Sequence, residues 1–339
     1  MTAMVNPSLG AFARQDLGLT VELFDAETER DKLLRIAPPM EVRTRHSRAY
    51  KQGTKNLLDL RSTSASAQTW NAAAQTNTFE FDSFDIDVFR YSHDSMIISN
   101  YDAAEASEVG DLDLEAEWMS KASVHAYSIH AYNLGQVLTN NANYDASLVS
   151  ASLDLTDQTA DLSGSILAMQ RAFRGLGVGA RNIIAVCNDA VLDAITALDQ
   201  VRDAVAISGF TASGSAVRRT GTVTGQEVIN WFREKFGIEL IVIESRIINA
   251  SGTAVSPLDD DLYFLHADES PFGKSFVKTA LLASVNGGAL LTPWEYPAYN
   301  PAGRGLYADT IFGLPLPSNM LGFAYTLSLI HISEPTRPY

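Results

Sequence analysis

The residues able to do chemistry are few and scattered along the chain. There are six histidines (His46, His93, His125, His130, His266 and His331), one cysteine (Cys187) and one tight acidic triplet, Asp259 to Asp261. His125 and His130 are five residues apart, about 140° around a helix, so they cannot face one metal ion together. His266 is followed by Asp268 and Glu269, which is the nearest approach to a ligand or acid–base set, although a surface turn is the simpler reading. The Asp triplet reads as a solvated turn before a strand, with a weak divalent-ion site as the sharper alternative. Cys187 ends the apolar run NIIAVC, where a small buried thiol is expected and nothing activates it. The run GLGVG, Gly175 to Gly179, follows a helix and precedes a strand, the reverse of the order that cradles a phosphate. Helix capping explains its glycines. No nucleophile elbow, zinc-protease helix or EF-hand loop is present. The sequence therefore assigns no catalytic, cofactor-binding or metal residue, and it reads as a protein that is not an enzyme.

Charge is more informative. The chain of 339 residues carries 25 Lys and Arg against 40 Asp and Glu, a formal charge of -15. Between positions 43 and 61 lie Arg43, Arg45, Arg48, Lys51, Lys55 and Arg61 against Asp59 alone, a local balance of +5. From Glu80 to Glu117 twelve acids oppose Arg90, a balance of -11. A basic segment and an acidic body in one chain can attract each other across copies and set their orientation. Two solvated faces of a monomer are the plainer alternative. The overall acidity argues against a protein whose main task is to coat nucleic acid.

The elements that would position these groups follow from patterning. The length allows one large domain or two of roughly 150 residues, with a core that needs no disulfide. No apolar run reaches the roughly 20 residues of a membrane span, and MTAMVNPSLGAF lacks the basic-then-apolar order of a signal peptide. DAETERDKLLRI predicts a short helix stopped by Pro38 and Pro39. Residues 41–78 are polar and aperiodic, which predicts an extended arm or hairpin. Phe79 to Phe89 alternate with acids as a strand bulged or turned near Ser83. Asp111 to Thr139 predicts a helix roughly 40 Å long. Leu112, Ala116, Met119, Ser123, Ala126, His130, Asn133 and Val137 would share its inner face. Asn140 to Ser163 is polar and acidic, and reads as a linker and domain boundary. Helices are then expected at 165–174, 189–204 and 225–236, a loop with room for a hairpin at 209–224 (GFTASGSAVRRTGTVT), and strands at NIIAVC, ELIVIES and DLYFLHA, which together make an α+β or α/β domain. From Phe276 the text turns rich in Pro, Gly and aromatics, suited to strands joined by tight turns.

This order of parts, closed by GGALLTPWEYPAYNPAGRGLYADTIFGLPLPSNMLGFAYT, resembles the major capsid proteins of tailed bacteriophages, the Hong Kong phage-type fold. The resemblance spans nearly the whole chain as an ordering of elements and implies an α+β fold. It implies an N-terminal arm at 1–40, an extended loop at 41–92 and a peripheral domain with a long spine helix at 93–145. An axial domain would follow at 146–270, with a return to the peripheral domain and closing strands at 271–326. The implied function is that of a structural shell subunit in the virion, assembled in the host cytoplasm into pentamers and hexamers around double-stranded DNA. Other copies of the chain would be its main partners. Scaffolding, portal or decoration proteins and weak non-specific contact with packaged DNA would add to them, without membrane or cofactor. Each limb of the loop can extend roughly 65 Å, enough to lie on a neighbour. On that view Arg43, Arg45, Arg48, Lys51, Lys55 and Arg61 meet acids of an adjacent copy, with Glu105, Glu108, Asp111, Asp113 and Glu115 as candidates. One branch of the family joins a loop Lys to a neighbour's Asn, which would make Lys51 or Lys55 the donor. Competing readings are an encapsulin-type compartment with the same fold, a soluble α/β enzyme with a site near His266, and a generic ligand-binding protein.

The last thirteen residues, LSLIHISEPTRPY from Leu327 to Tyr339, look like the in-frame translation of a sequencing-library adapter. They are expected to be a non-native tail on a natural portion of 326 residues whose true end is missing.

Overall fold

The computed structural model describes residues 12–13, 29–52, 81–102, 114–155, 157–175, 182–208, 223–244, 246–248, 252–269, 274–286, 289–299 and 302–328. Its organising element is the long helix α2 (Leu114–Thr139), which lies between two sheets. One is a four-stranded sheet in the order β1 (Phe12–Ala13), β13 (Leu291–Tyr299), β14 (Ala302–Phe312) and β5 (Phe89–Ser99), antiparallel throughout. The other is five-stranded, in the order β6 (Val149–Asp154), β15 (Gly322–Ser328), β11 (Leu262–His266), β7 (Ile183–Cys187) and β8 (Glu239–Val242). Around the second sheet pack α3 (Leu162–Gly175), α4 (Asp189–Ala197), α5 (Asp199–Ser208) and α6 (Gly225–Phe236), while β9 (Ile247–Ile248) and β10 (Ala254–Val255) form a short antiparallel ladder of their own.

The main core is built on this five-stranded sheet. Every residue of β7 and β11 is buried, as expected for apolar runs covered on both faces. The core extends into the C-terminal half of α2 through Ala131, Leu134 and Leu138, and into the short helix α1 (Glu29–Ile36) through Leu33 and Ile36. The N-terminal half of α2 instead places Met119 against Ile98 and Leu306 of the antiparallel sheet. The inner face of the helix consequently differs from a single straight stripe. It runs through Met119, Ser123, Ala126 and His130 as expected, then shifts to Ala131, Leu134, Gly135 and Leu138 where the second sheet takes over. Asn133 and Val137 are left half-buried at its edge.

α6 shows how local chemistry sets an element's ends. Thr224 and Glu227 form a reciprocal capping box, and Gly237 closes the helix at φ +66°. Asn182, at φ +64°, opens β7 after the segment that contains most of GLGVG, a conformation that Asn tolerates. Residues 176–181 themselves lie outside the described residues, as does most of the expected loop at 209–224.

Three expectations need correction. The 140–163 stretch carries β6, which pairs parallel to β15, in addition to two short 3₁₀ turns. Its alternation VSASLD was masked by serines among small apolar residues. The expected single helix at 189–204 is two helices, broken where the fully buried Leu198 adopts extended backbone at φ −67°, ψ 133°. No Gly or Pro marks that break. The strand of 79–89 runs unbroken through Ser83 as β4 (Phe81–Asp87) and ends at the buried Val88, after which β5 joins a different sheet.

β15 continues through Leu327 and Ser328, opposite Leu153 and Asp154, two residues past the expected start of the non-native tail. The ladder uses backbone atoms that any residue supplies. Residues 329–339 lie outside the described residues.

Gly135 marks a close approach between α2 and the loop ahead of β11. A Cβ there would sit 2.2 Å from the Pro257 carbonyl oxygen and 2.9 Å from its carbon, both backbone atoms that cannot rotate away. In an unconstrained helix, Gly→Ala would stabilise by about 1 kcal/mol. Gly135→Ala should instead destabilise by about 1–3 kcal/mol through overpacking. A denaturant midpoint that rises instead of falling would refute the tight contact.

Candidate intersubunit contact site

The predicted basic segment begins at the root of a hairpin. β2 (Pro39–Val42) pairs parallel with β12 (Thr279–Leu282), and β3 (His46–Gln52) pairs antiparallel with β4. Arg43 and Arg45 lie on the turn between β2 and β3, exposed and without an ion pair among the described residues. Thr44 and Ser47 fix that turn: the Thr44 hydroxyl donates to the His46 carbonyl at 2.9 Å, and Ser47 Oγ donates to the Thr44 carbonyl at 3.1 Å.

Along β3 and β4 the register sets base against acid, with His46 opposite Asp87, Arg48 opposite Asp85 and Lys51 opposite Asp82. His46 Nδ1 lies 2.7 Å from Asp87 Oδ1, and Arg48 Nε donates to Asp85 Oδ1 at 2.8 Å. All four side chains are largely exposed, so each pair is worth under about 1 kcal/mol and can be exchanged for an outside partner. The hairpin thus brings part of the basic run and part of the acidic run together within one chain. Lys55 and Arg61 lie outside the described residues, and so do Glu105, Glu108, Asp111 and Asp113.

Glu115, in the first turn of α2, takes Arg304 of β14 at 3.0 Å. Arg304 also reaches Glu295 of β13 at 4.0 Å. The carboxylate is mostly covered while the guanidinium is 59% exposed, so within this chain Glu115 ties the start of the long helix to the antiparallel sheet. His125 and His93 have the same kind of role. His125 Nδ1 lies 3.0 Å from Asp94 of β5, and His93 Nδ1 lies 2.7 Å from Asp309 of β14.

Sequence reasoning missed an apolar surface beside the charges. Cross-strand register puts Ile97, Gly305 and Tyr296 in one row, and Ser95, Tyr307 and Trp294 in the next, on the sheet face turned away from α2. Trp294 stacks on Tyr307 at 6.2 Å, and the Tyr296 ring covers Gly305, where a Cβ would meet it at 2.2 Å. Phe89 and Ile97 are exposed, and Tyr101 and Tyr299 are 88% and 87% exposed. Their concentration on one sheet and its ends is what a partner-binding surface offers. The signal was the alternation WEYPAY read against GLYAD. A cleft of about 440 Å³ lies at the hairpin root, lined by Asp85, Asp87, Phe89, Tyr91, Asn133 and Gln136 among others.

The candidate catalytic groups disperse. His266 is buried, not on a surface turn, and its Nδ1–H is engaged by the Lys274 carbonyl at 2.6 Å. The Asp triplet binds protein. Asp259 accepts from the Tyr263 hydroxyl, Asp260 from Asn188 Nδ2 at 2.8 Å, and Asp261 from the Leu327 N–H at 2.9 Å. Burial pushes the Asp261 carboxyl up to about 6 and raises Asp259 as well. Burial pushes the Cys187 thiol well above its ordinary range, which leaves it inert. Among the described residues no three His, Cys, Asp or Glu side chains converge as a metal site, and no helix is long and apolar enough to cross a membrane.

A long helix between an antiparallel sheet and a helix-flanked five-stranded sheet, with a hairpin rooted beside it, defines the class: the chain has the Hong Kong phage-type capsid fold. It is similar to the crystal structure of a phage-related protein from Bordetella bronchiseptica RB50, with TM-score 0.63 and 13% identity over 92% of this chain and 96% of that one. The capsid protein of cyanophage P-SCSP1u superposes with TM-score 0.52 at 9% identity, covering 97% and 92% of the two chains. The mature capsid of bacteriophage PhiM1 gives TM-score 0.50 at 14% identity, covering 87% and 86%. No protein-family model matches the sequence, and no curated protein matches it either.

Proposed function

We propose that this chain is the major capsid protein of a tailed bacteriophage, which assembles through pentamers and hexamers into an icosahedral shell enclosing double-stranded DNA. The observation that carries the reading is the extent of the fold correspondence, 92% of this chain and 96% of the phage-related protein. The exposed basic turn, and the exposed Phe89, Ile97, Tyr101 and Tyr299 on the antiparallel sheet and its ends, support it as surface that a partner would cover. On this reading 1–40 is the N-terminal arm, 41–92 the extended loop, 93–145 and 271–326 the peripheral domain, and 146–270 the axial domain. The function is geometric and calls for no catalytic centre. Many modest contacts per copy are multiplied by closure of the shell.

The arm and loop act between copies. Arg43 and Arg45, with Arg48, Lys51, Lys55 and Arg61, meet acids of a neighbour, for which Glu105, Glu108, Asp111 and Asp113 are the candidates, since Glu115 is engaged by Arg304 within its own chain. Scaffolding, portal or decoration proteins would be further partners, and packaged DNA a weak one, since a subunit of charge -15 repels phosphate over most of its surface. The protein would reside in the virion after assembly in the host cytoplasm. Light scattering of the purified chain is the test: particles or capsomers of many copies are expected, and a mass near the single-chain 36.8 kDa at all concentrations would overturn the reading. Nuclease-protected DNA inside particles from infected cells would separate a virion shell from a compartment loaded with protein.

A further inference from the structure

His130 is fully buried in the middle of α2, and no role in the contacts above explains it. Its surroundings assign its protons. Thr279 Oγ1 donates to the Ala37 carbonyl at 2.8 Å. That hydroxyl is therefore spent as a donor, and it accepts from His130 Nε2–H at 3.0 Å. The imidazole is the Nε2–H tautomer. Its other nitrogen, Nδ1, carries a lone pair and has no hydrogen-bond partner. The Phe312 ring packs edge-on against the imidazole at 4.9 Å.

The relay His130 to Thr279 to Ala37 joins three parts of the molecule: the long helix, β12, and the junction where α1 ends and β2 begins. Thr279 holds that junction twice, because its N–H also donates to the Pro38 carbonyl at 3.1 Å. β2 is otherwise fixed to β12 by only four residue pairs. We propose that the relay is an acid-operated release, in which a proton taken from solvent at His130 Nδ1 expels the imidazole from its packing and frees the α1–β2 junction from Thr279.

The physical argument rests on what protonation would create. Nδ1–H would be a buried donor with no acceptor, on a ring that has gained a charge in an apolar site. Among the described residues no ion pair or hydrogen bond brings a charged side chain to His130 Nδ1. On α1, Lys32 and Arg35 pair with Glu244 and Glu239. Lys278, next to Thr279, is held below the ordinary lysine range by burial, with Asp268 opposing the shift. Phe312 and Ala37 offer nothing ionisable. Burial is what holds the imidazole down, at about 4. An unfolded or exposed histidine titrates near 6.5. The closed state is thus fully favoured above pH 6.5, loses about tenfold per unit as pH falls from there, and levels off below about 4. The total is roughly 300-fold in the opening equilibrium. Asp261, raised to about 6, acts with the opposite sign as pH falls from 6 towards the ordinary carboxylate range. A global melting curve would therefore mix the two, and the readout has to be local.

The experiment is amide hydrogen exchange on the full chain from pH 7 to 4, corrected for intrinsic rates, comparing wild type with His130→Gln. Gln can donate to Thr279 but does not titrate. Residues 37–42 and 279–282 should open about 80-fold more readily at pH 4 than at pH 6.5 in wild type, and should show no such change in the variant. His130→Phe, which keeps a ring against Phe312, serves the same comparison if the Gln variant does not fold. Equal pH dependence in wild type and variant would overturn the proposal. So would a wild-type increase spread evenly over β7 and β11, because that is global unfolding and not release of a junction.

Discussion

Phe312→Ala should lower the stability of the subunit by about 3–5 kcal/mol, the range for deleting a fully buried aromatic side chain. Phe312 has no exposure and stacks on Tyr91 of β5 at 4.3 Å and 22°. On its other side it meets His130 of α2, and it shares a cluster with Leu281 and Leu290. One ring therefore holds β14, β5, β12 and the long helix at a common point. The ring sits between elements already fixed by their own ladders, so the site cannot collapse around the vacancy, and the upper part of the range is expected. Against a typical domain stability of about 5–15 kcal/mol, such a loss is a large fraction of the total. Guanidinium unfolding followed by tryptophan fluorescence measures it. A change below about 1 kcal/mol would mean that the antiparallel sheet and α2 are not coupled through this residue.

The second large effect is on association and leaves the fold intact. Replacing Arg43, Arg45, Arg48 and Lys51 together by Gln removes four bases from the hairpin root, where the described side chains are exposed. At about 0.5–1 kcal/mol per lost pair, each subunit loses about 2–4 kcal/mol of contact. That corresponds to a rise of roughly 30-fold to 1000-fold in the concentration needed for assembly. The subunit's melting temperature should hardly move, since surface substitutions of this kind fall within about 0.5 kcal/mol. The difference should shrink at 1 M salt, where the Debye length is about 3 Å. Turbidity or light scattering against concentration reads the effect. An unchanged assembly threshold in low salt would remove these bases from the interface.

What could be read from the sequence followed from how locally each feature is encoded. The long helix was visible because acids open it and no proline interrupts it. The apolar runs of β7 and β11 were visible because both their faces are buried. β6 was not, since its serines imitate a loop and its partner β15 lies about 170 residues further on. The break at Leu198 was equally silent, because tertiary packing and not a helix breaker imposes it. For the contact site, the charge of the basic run was plain, but its pairing was not. Only the β3–β4 register shows that Arg48 and His46 already face Asp85 and Asp87. The aromatic face escaped notice because its members come from three strands, and only cross-strand register puts Trp294, Tyr307 and Ile97 on one side.

The central claim is that copies of this chain close into a shell. Negative-stain electron microscopy of the purified chain in low salt tests it most directly. Closed particles, or five- and six-membered rings, are the expected result. A field of single compact molecules, unchanged when the concentration is raised a hundredfold, would contradict it.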